Sequence, residues 1–418
     1  MSTDTHSPPD PTPTPPSTPS RIASVDTYRG AVMLLMMAEV LELRRVAGSI
    51  PDESAWHSTW QWLSFHQSHV EWGGWHSVHD MIQPSFSFLV GVALPFSLAG
   101  RLRRGESLRF ATLHAAWRAL LLIALGVFLR SIGGKMTNFT FEDTLSQIGL
   151  GYFPLFLLGL ARPRARWIAL GTILVGYWAA FALYPAPGSD FSYKDVGVPA
   201  DWSGHLATGF AAHWNKNSNL AWAFDRWFLN LFPRERPFQF NRGGYATLSF
   251  IPTLGTMILG LIAGGWLRGE GRPKEEMTAG GRLGRLFLAG VVCAALGLAL
   301  DRLGICPIVK RIWTPSWVLF SGGICFGVLG LLYALIDLTG YQGWTYPLRV
   351  IGRNSIAAYV LAHLIGDFVQ GSFKTHLGQG VFERWGEPYE PLAAGAAVLA
   401  VYWLILFWMD RRKIYLKV

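Results

Sequence analysis

Residues 81–100 read MIQPSFSFLVGVALPFSLAG. Twenty residues without a charge are enough to cross the hydrocarbon of a bilayer as a helix. The run is bounded by HSVHD (76–80) on one side and by RLRR (101–104) on the other. Arginine-rich ends stay cytoplasmic, so the histidine end faces outward. Working outward from this stretch, similar apolar blocks fall at 28–46, 111–130, 148–161, 167–184, 248–267, 286–303, 317–339, 350–369 and 392–409. Together they give about ten transmembrane helices. Arg109, the arginines at 162, 164 and 166, the basic residues between Arg268 and Arg285, and Arg411 to Lys413 all fall on the arginine side. The expected fold is an all-α polytopic membrane protein with both termini cytoplasmic, and its expected setting is a bacterial inner membrane.

Composition supports this class. Apolar residues make up 51% and charged residues only 15%, which argues against two or three soluble domains. The net charge of +9 comes from arginines spaced between apolar blocks, so no basic patch exists for nucleic acid. The three cysteines (Cys293, Cys306, Cys325) form neither a CxxC nor a disulfide framework. Residues 1–20, rich in Pro, Ser and Thr, read as a disordered tail without the apolar core of a secretory signal. The first span then serves as its own insertion signal. The domain is placed at 21–418, with outer loops at 47–79 and 185–246 that resemble a lid over an outward-opening cavity.

Five of the eleven histidines (His57, His66, His69, His76, His79) fall within the first outer loop. An imidazole titrates nearest neutrality and can serve as base, acid, nucleophile or ligand. Two readings compete. His66/His69 and His76/His79/Asp80 offer zinc donors, but at a spacing that is weak without cysteines. Otherwise one imidazole, oriented by Glu71, Asp80 or Glu39, acts as a general base. In the first span Glu39 and Glu42 share a helical face, and carboxylates at this depth face a cavity or a partner. Arg44 and Arg45 follow, so a structural salt bridge is the bland alternative for Glu42. Further along, Asn354, Ser355 and His363 interrupt an apolar span; interhelical hydrogen bonding is the usual role of the first two. Lys310 and Arg311 precede the eighth span and either hold an anion or anchor the helix. The tryptophans of the second outer loop suit an interfacial belt or a sugar site.

The order of motifs resembles the heparan-α-glucosaminide N-acetyltransferase family of transmembrane acyltransferases. Ser24-Val-Asp26-Thr-Tyr-Arg29-Gly30 is similar to its opening S-[LV]-D-x-[FY]-R-G. His69-Val-Glu71-Trp72-Gly-Gly74-Trp75, with Asp80 and Pro84 after it, is similar to its H-A-x-W-N-G-[WL]. Asp225-Arg226, residues 254–260, residues 307–317 and Gly352-x-Asn354-Ser355-Ile356 recur in family order, so the resemblance covers about 21–418. It implies transfer of an acetyl group from acetyl-CoA to an amino sugar or glycan on the extracytoplasmic side. It places the reaction on His69, as acyl carrier or as base for direct transfer. Asp80 and Glu39 are then orienting carboxylates, Trp72, Asn354, Ser355 and His363 site-lining residues, and Lys310 a ligand for donor phosphates. No metal is expected, the bilayer is the only large partner, and a homo-oligomer is left open. Three positions depart from the pattern: Val40 and Gly73 stand where the family has asparagine, and Gln147 where it has arginine. An O-acyltransferase of envelope polysaccharide and a proton-coupled transporter using Glu39, Glu42 and His363 are the competing classes. The transporter predicts two similar halves, and the first and last five spans show no repeat.

Overall fold

A computed structural model describes residues 22–73, 76–270 and 278–416. The expected tail at 1–20, Gly74 and Trp75 of the histidine loop, and Arg272 and Lys274 lie outside the described residues. Among the described residues there is helix and loop but no strand. Helix α1 (Ala23–Met37) tightens into a 3-10 turn, breaks at Glu42 and resumes as α2 (Leu43–Ser49). Then α3 (His57–His66) lies in the histidine loop. Four long helices follow: α4 (Ile82–Arg103), α5 (Leu108–Ser131), α6 (Thr144–Leu160) and α7 (Pro163–Leu183). The large loop after them carries α8 (Leu220–Phe228). Next come α9 (Phe250–Arg268), α10 (Ala279–Arg302) and α11 (Pro315–Leu332), the last prolonged by a π turn over Tyr333–Leu338. Three short helices, α12 (Tyr346–Arg353), α13 (Ser355–Leu364) and α14 (Gly366–Leu377), lead to α15 (Glu390–Arg411).

Among the described residues seven helical segments, built on α4, α5, α7, α9, α10, α11 and α15, are long and apolar enough to cross a membrane. The α13–α14 pair, bent by 58°, makes an eighth if it is one span. Of the other expected spans, α6 has 17 residues and α1 has 15. The first block was expected to run to residue 46 and instead breaks at Glu42, whose φ of +46° is left-handed. The block at 350–369 breaks twice, at Asn354 and at Ile365. Broken backbone at membrane depth needs a cavity or protein around it, and the breaks at Glu42 and Ile365 lie next to Glu39 and His363 of the cavity described below.

Helix α9 is the centre of the bundle. Of its most apolar 18-residue window 83% is buried, against 17% in α10 and 22% in α7. The peripheral helices turn Ile168, Val175, Leu183, Leu288 and Val291 outward, a surface that only lipid would cover. The seam between α4 and α9 is held by glycines. A Cβ on Gly260 would lie 1.9 Å from the Phe88 carbonyl oxygen, and one on Gly264 would lie 2.3 Å from that of Val92. This Gly-x-x-x-Gly face lets two backbones touch, the means by which helices associate without a hydrophobic drive. Helices α1 and α12 meet in the same way, Gly30 on Leu348 and Gly352 on Asp26.

The lid contains three segments where the sequence suggested two. Trp72 from the histidine loop, Val198, Trp202 and Trp214 from the large loop, and Cys306, Val309 and Ile312 from the α10–α11 connection share one apolar cluster with Tyr177 and Phe181 of α7.

Candidate active site

The α10–α11 connection winds tightly and delivers one lysine. Thr314 caps α11, its hydroxyl accepting from Trp317 N and donating to Pro307 O (2.8 Å), while Ile308 N donates to Asp301 Oδ1 (2.8 Å). Trp313 takes a left-handed φ of +52° to complete the turn. Lys310 is thereby driven inward, with its side chain only 6% exposed. Its ammonium lies 2.9 Å from Asp80 Oδ1 and 3.0 Å from His69 Nδ1.

Asp80 is fully buried in the turn before α4. A buried carboxylate needs partners. Besides Lys310 it accepts from Val70 N (3.3 Å) and Ser77 N (3.1 Å), and Ser77 in turn donates to Ser68 O (2.5 Å). Asp80 therefore organises the loop that carries His69. Within it Gly73 has a φ of +74°, a region that favours glycine and, next, asparagine. That accounts for one departure from the family pattern.

His69 is the half-exposed member of this triad. Its Nδ1 faces two groups, Lys310 as donor at 3.0 Å and Asp80 as acceptor at 3.4 Å. Nδ1 serves one of them at a time: in the tautomer whose Nδ1–H donates to Asp80, Lys310 is held by Asp80 and the Nε2 lone pair is free to take a proton or attack a carbonyl. Burial holds the imidazole below its ordinary pKa, against the Asp80 hydrogen bond, which favours the cation. Burial likewise pushes the Lys310 ammonium down, with Asp80 opposing. Burial thus favours the neutral ring.

Beside it stands a second imidazole. The His69 and His79 ring centroids are 4.5 Å apart, and His79 Nε2 lies 3.0 Å from Glu39 Oε1. Both rings and Glu39 line a cavity of about 480 Å³, together with Lys310, His363, Tyr245, Tyr359, Arg130, Glu142 and Asp143. Apolar walls come from Met33 and Met36 of α1 and from Ile82 and Phe86 of α4. A polar cluster opening into an apolar cleft of this size is the usual form of a small-molecule site. His363 reaches it from the end of α13, stacked on Tyr359 and donating Nδ1–H to the Tyr359 carbonyl (2.8 Å). Asp143 arrives as the N-cap of α6, accepting from Leu145 N and Ser146 N.

Of the residues singled out in the sequence, His69, Glu39, Lys310 and His363 line one chamber, with Asp80 directly behind. Three do not, and the expectation for them is corrected. Trp72 is buried in the lid, its Nε1 donating to Trp214 O (3.2 Å) and its ring against Trp202. Asn354 and Ser355 sit at the opposite end of the bundle, where Asn354 donates to Ile414 O (2.9 Å) and accepts from Leu416 N (3.2 Å), fastening the C-terminal segment. Lys310, expected as a ligand for donor phosphates, points to Asp80 and His69 at the chamber wall. Its neighbour Arg311 anchors the lid, donating to Val70 O and Gly243 O. Gln147 joins the starts of α6 and α9, donating to Phe141 O and Thr247 O. His66 accepts from Val78 N and His76 stacks on Trp317, so the histidines disperse. Among the described residues no three His, Cys, Asp or Glu side chains gather as a metal site.

Sequence reasoning missed Arg130, Glu142, Asp143, Tyr245 and Tyr359. The one available signal was an acidic pair in a short loop on the same side as the histidines.

No protein-family model matches the chain. It is 24% identical to heparan-alpha-glucosaminide N-acetyltransferase of Homo sapiens and 23% identical to that of Mus musculus, each over 96% of this chain. The alignments cover 60% and 61% of those proteins, so the chain spans about three fifths of their length. The chain is thus a distant relative of these enzymes, in agreement with the resemblance drawn from its motifs.

Proposed function

We propose that this protein is a membrane-embedded acetyltransferase that moves an acetyl group from acetyl-CoA to an amino sugar or glycan on the extracytoplasmic side. The observation that carries the reading is His69, neutral and backed by Asp80 and Lys310, at the wall of a chamber with room for acyl group and acceptor. Its distant relatives are N-acetyltransferases by name. In this reading the chain crosses a bacterial inner membrane ten times with both termini cytoplasmic, α1 and α6 completing the set.

His69 acts at Nε2, either attacking the thioester carbonyl or taking a proton from the acceptor as it attacks. In both cases Asp80 steadies the imidazolium that forms. Holding thioester and acceptor in one chamber supplies proximity. The donor's phosphates fall to the other end of the bundle, where Asp26, Arg29, Arg103 and Arg268 surround a second cavity of about 370 Å³. Both cavities lie along the α1–α4 seam. Met33 follows Arg29 by four helical steps of α1, a separation of about 6 Å, which an extended thioester arm can bridge.

The test is transfer from labelled acetyl-CoA to glucosamine by purified full-length protein. His69→Ala, monodisperse in detergent, should lose about 10²–10⁴-fold in rate. Wild-type activity in that variant refutes the assignment.

A further inference from the structure

The chamber holds two imidazole–carboxylate pairs where acyl transfer to a hydroxyl needs one. His69 is backed by Asp80, and His79 by Glu39 at 3.0 Å. The rings are 4.5 Å apart, both at the cavity wall, and the turn before α4 serves both pairs: its Asp80 backs His69 of the histidine loop, and its His79 meets Glu39 at the broken end of α1. We propose that His79, positioned by Glu39, is a second general base, and that the acceptor is a primary amine taken up as its ammonium ion. This deepens the acetyltransferase reading and rests on it.

Proton balance supplies the argument. An alcohol and a thioester give an ester and a thiol, with one proton passed from oxygen to sulfur and none released. An ammonium ion and a thioester give an amide, a thiol and one free proton. The ammonium must lose its first proton before nitrogen can attack the carbonyl. A second leaves the tetrahedral adduct as the carbon–sulfur bond breaks, and ends on the thiol. An amine beside electron-withdrawing carbons, like an α-amino group, titrates near about 7.7–8.0, so at neutral pH it arrives charged. One imidazole cannot hold both protons at once.

His79 takes the first proton and passes it through Glu39, whose side chain is 57% exposed, to solvent. His69 carries the second from nitrogen to sulfur. Glu39 and His79 also present a negative and a hydrogen-bonding group to a cation. The other charged or titratable groups facing this pair are His69 and Lys310 from the loops, His363 and Tyr359 from α13, Asp80 beside His79, and Arg130, Glu142, Asp143 and Tyr245 across the chamber.

The test compares glucosamine with an alkoxyamine, which is already neutral, as acceptors for the full-length protein across pH. His79→Asn should lower kcat/KM for glucosamine by about 10²-fold about two pH units below the amine's pKa, recover about tenfold per pH unit up to that pKa and level off above it, and leave the alkoxyamine within about threefold. Glu39→Gln, which keeps the side-chain volume, should repeat the pattern at about tenfold. Equal losses on both acceptors in both variants, or no loss on glucosamine, overturn the second base. A wild-type protein that acetylates hydroxyls and no amine overturns it too, while acyl transfer stands. One that acetylates neither acceptor overturns the acetyltransferase reading itself.

Discussion

Replacing Lys310 by methionine removes one charge from the centre of the triad, and two quantities should move. The first is stability. Lys310 and Asp80 are 6% and 0% exposed at 2.9 Å, and breaking such a buried pair from one side costs about 3–5 kcal/mol. Asp80 keeps its two backbone donors, so the lower end applies. The second is the basicity of His69. A unit charge at 3.0 Å contributes about 5.5 kcal/mol at an effective dielectric of about 20, and about 1.4 kcal/mol in water. The ring is 44% exposed, so screening favours the smaller figure, or about one pKa unit. The sign follows from the base being active when neutral. In the wild type the imidazole lies below its ordinary value, so activity persists until pH falls through that lowered pKa. Without the cation the pKa rises and the loss begins at higher pH. The assay is kcat/KM for acetyl transfer from acid to neutral pH, with thermal unfolding alongside. An acid limb that stays in place, or moves down, refutes the triad as described. Lys310→Arg should hold the limb near its wild-type position.

Two further expectations concern the donor path and the scaffold. Arg29→Ala with Arg103→Ala should raise KM for acetyl-CoA by about tenfold, a loss of about 1.4 kcal/mol, and leave S-acetylpantetheine unchanged; equal effects on both donors would remove the phosphates from that end. Gly260→Val would force a Cβ to within 1.9 Å of the Phe88 carbonyl oxygen, so the α4–α9 seam must part. The expected outcome is aggregation on extraction, and a monodisperse protein with native melting would contradict the backbone contact.

Much of this architecture was legible in the chain because lipid imposes length and polarity on each span. His69 and Asp80 could be read as partners because they lie eleven residues apart in one loop. The Glu39–His79 contact could not, since it joins α1 to the turn before α4 and depends on the break at Glu42. Trp72 was misplaced for the same reason: its partner Trp214 is 142 residues away, in a loop without periodicity. Asn354 was misplaced because the apolar block around it hides two helix breaks, and a continuous span would have set its depth differently. Glu142 and Asp143 look like connector residues until α6 brings them to the chamber wall.

The glycine contacts also say what must move. Helices α4 and α9 are welded backbone to backbone, as are α1 and α12, so each couple travels as one rigid jaw. The crevice between the jaws separates the arginine-lined cavity from the imidazoles, and across it Tyr28 Oη and Ser85 Oγ are joined by a hydrogen bond of 2.9 Å. Widening that crevice would mean unlatching this clasp and rocking one couple against the other, with no helix bending along its length.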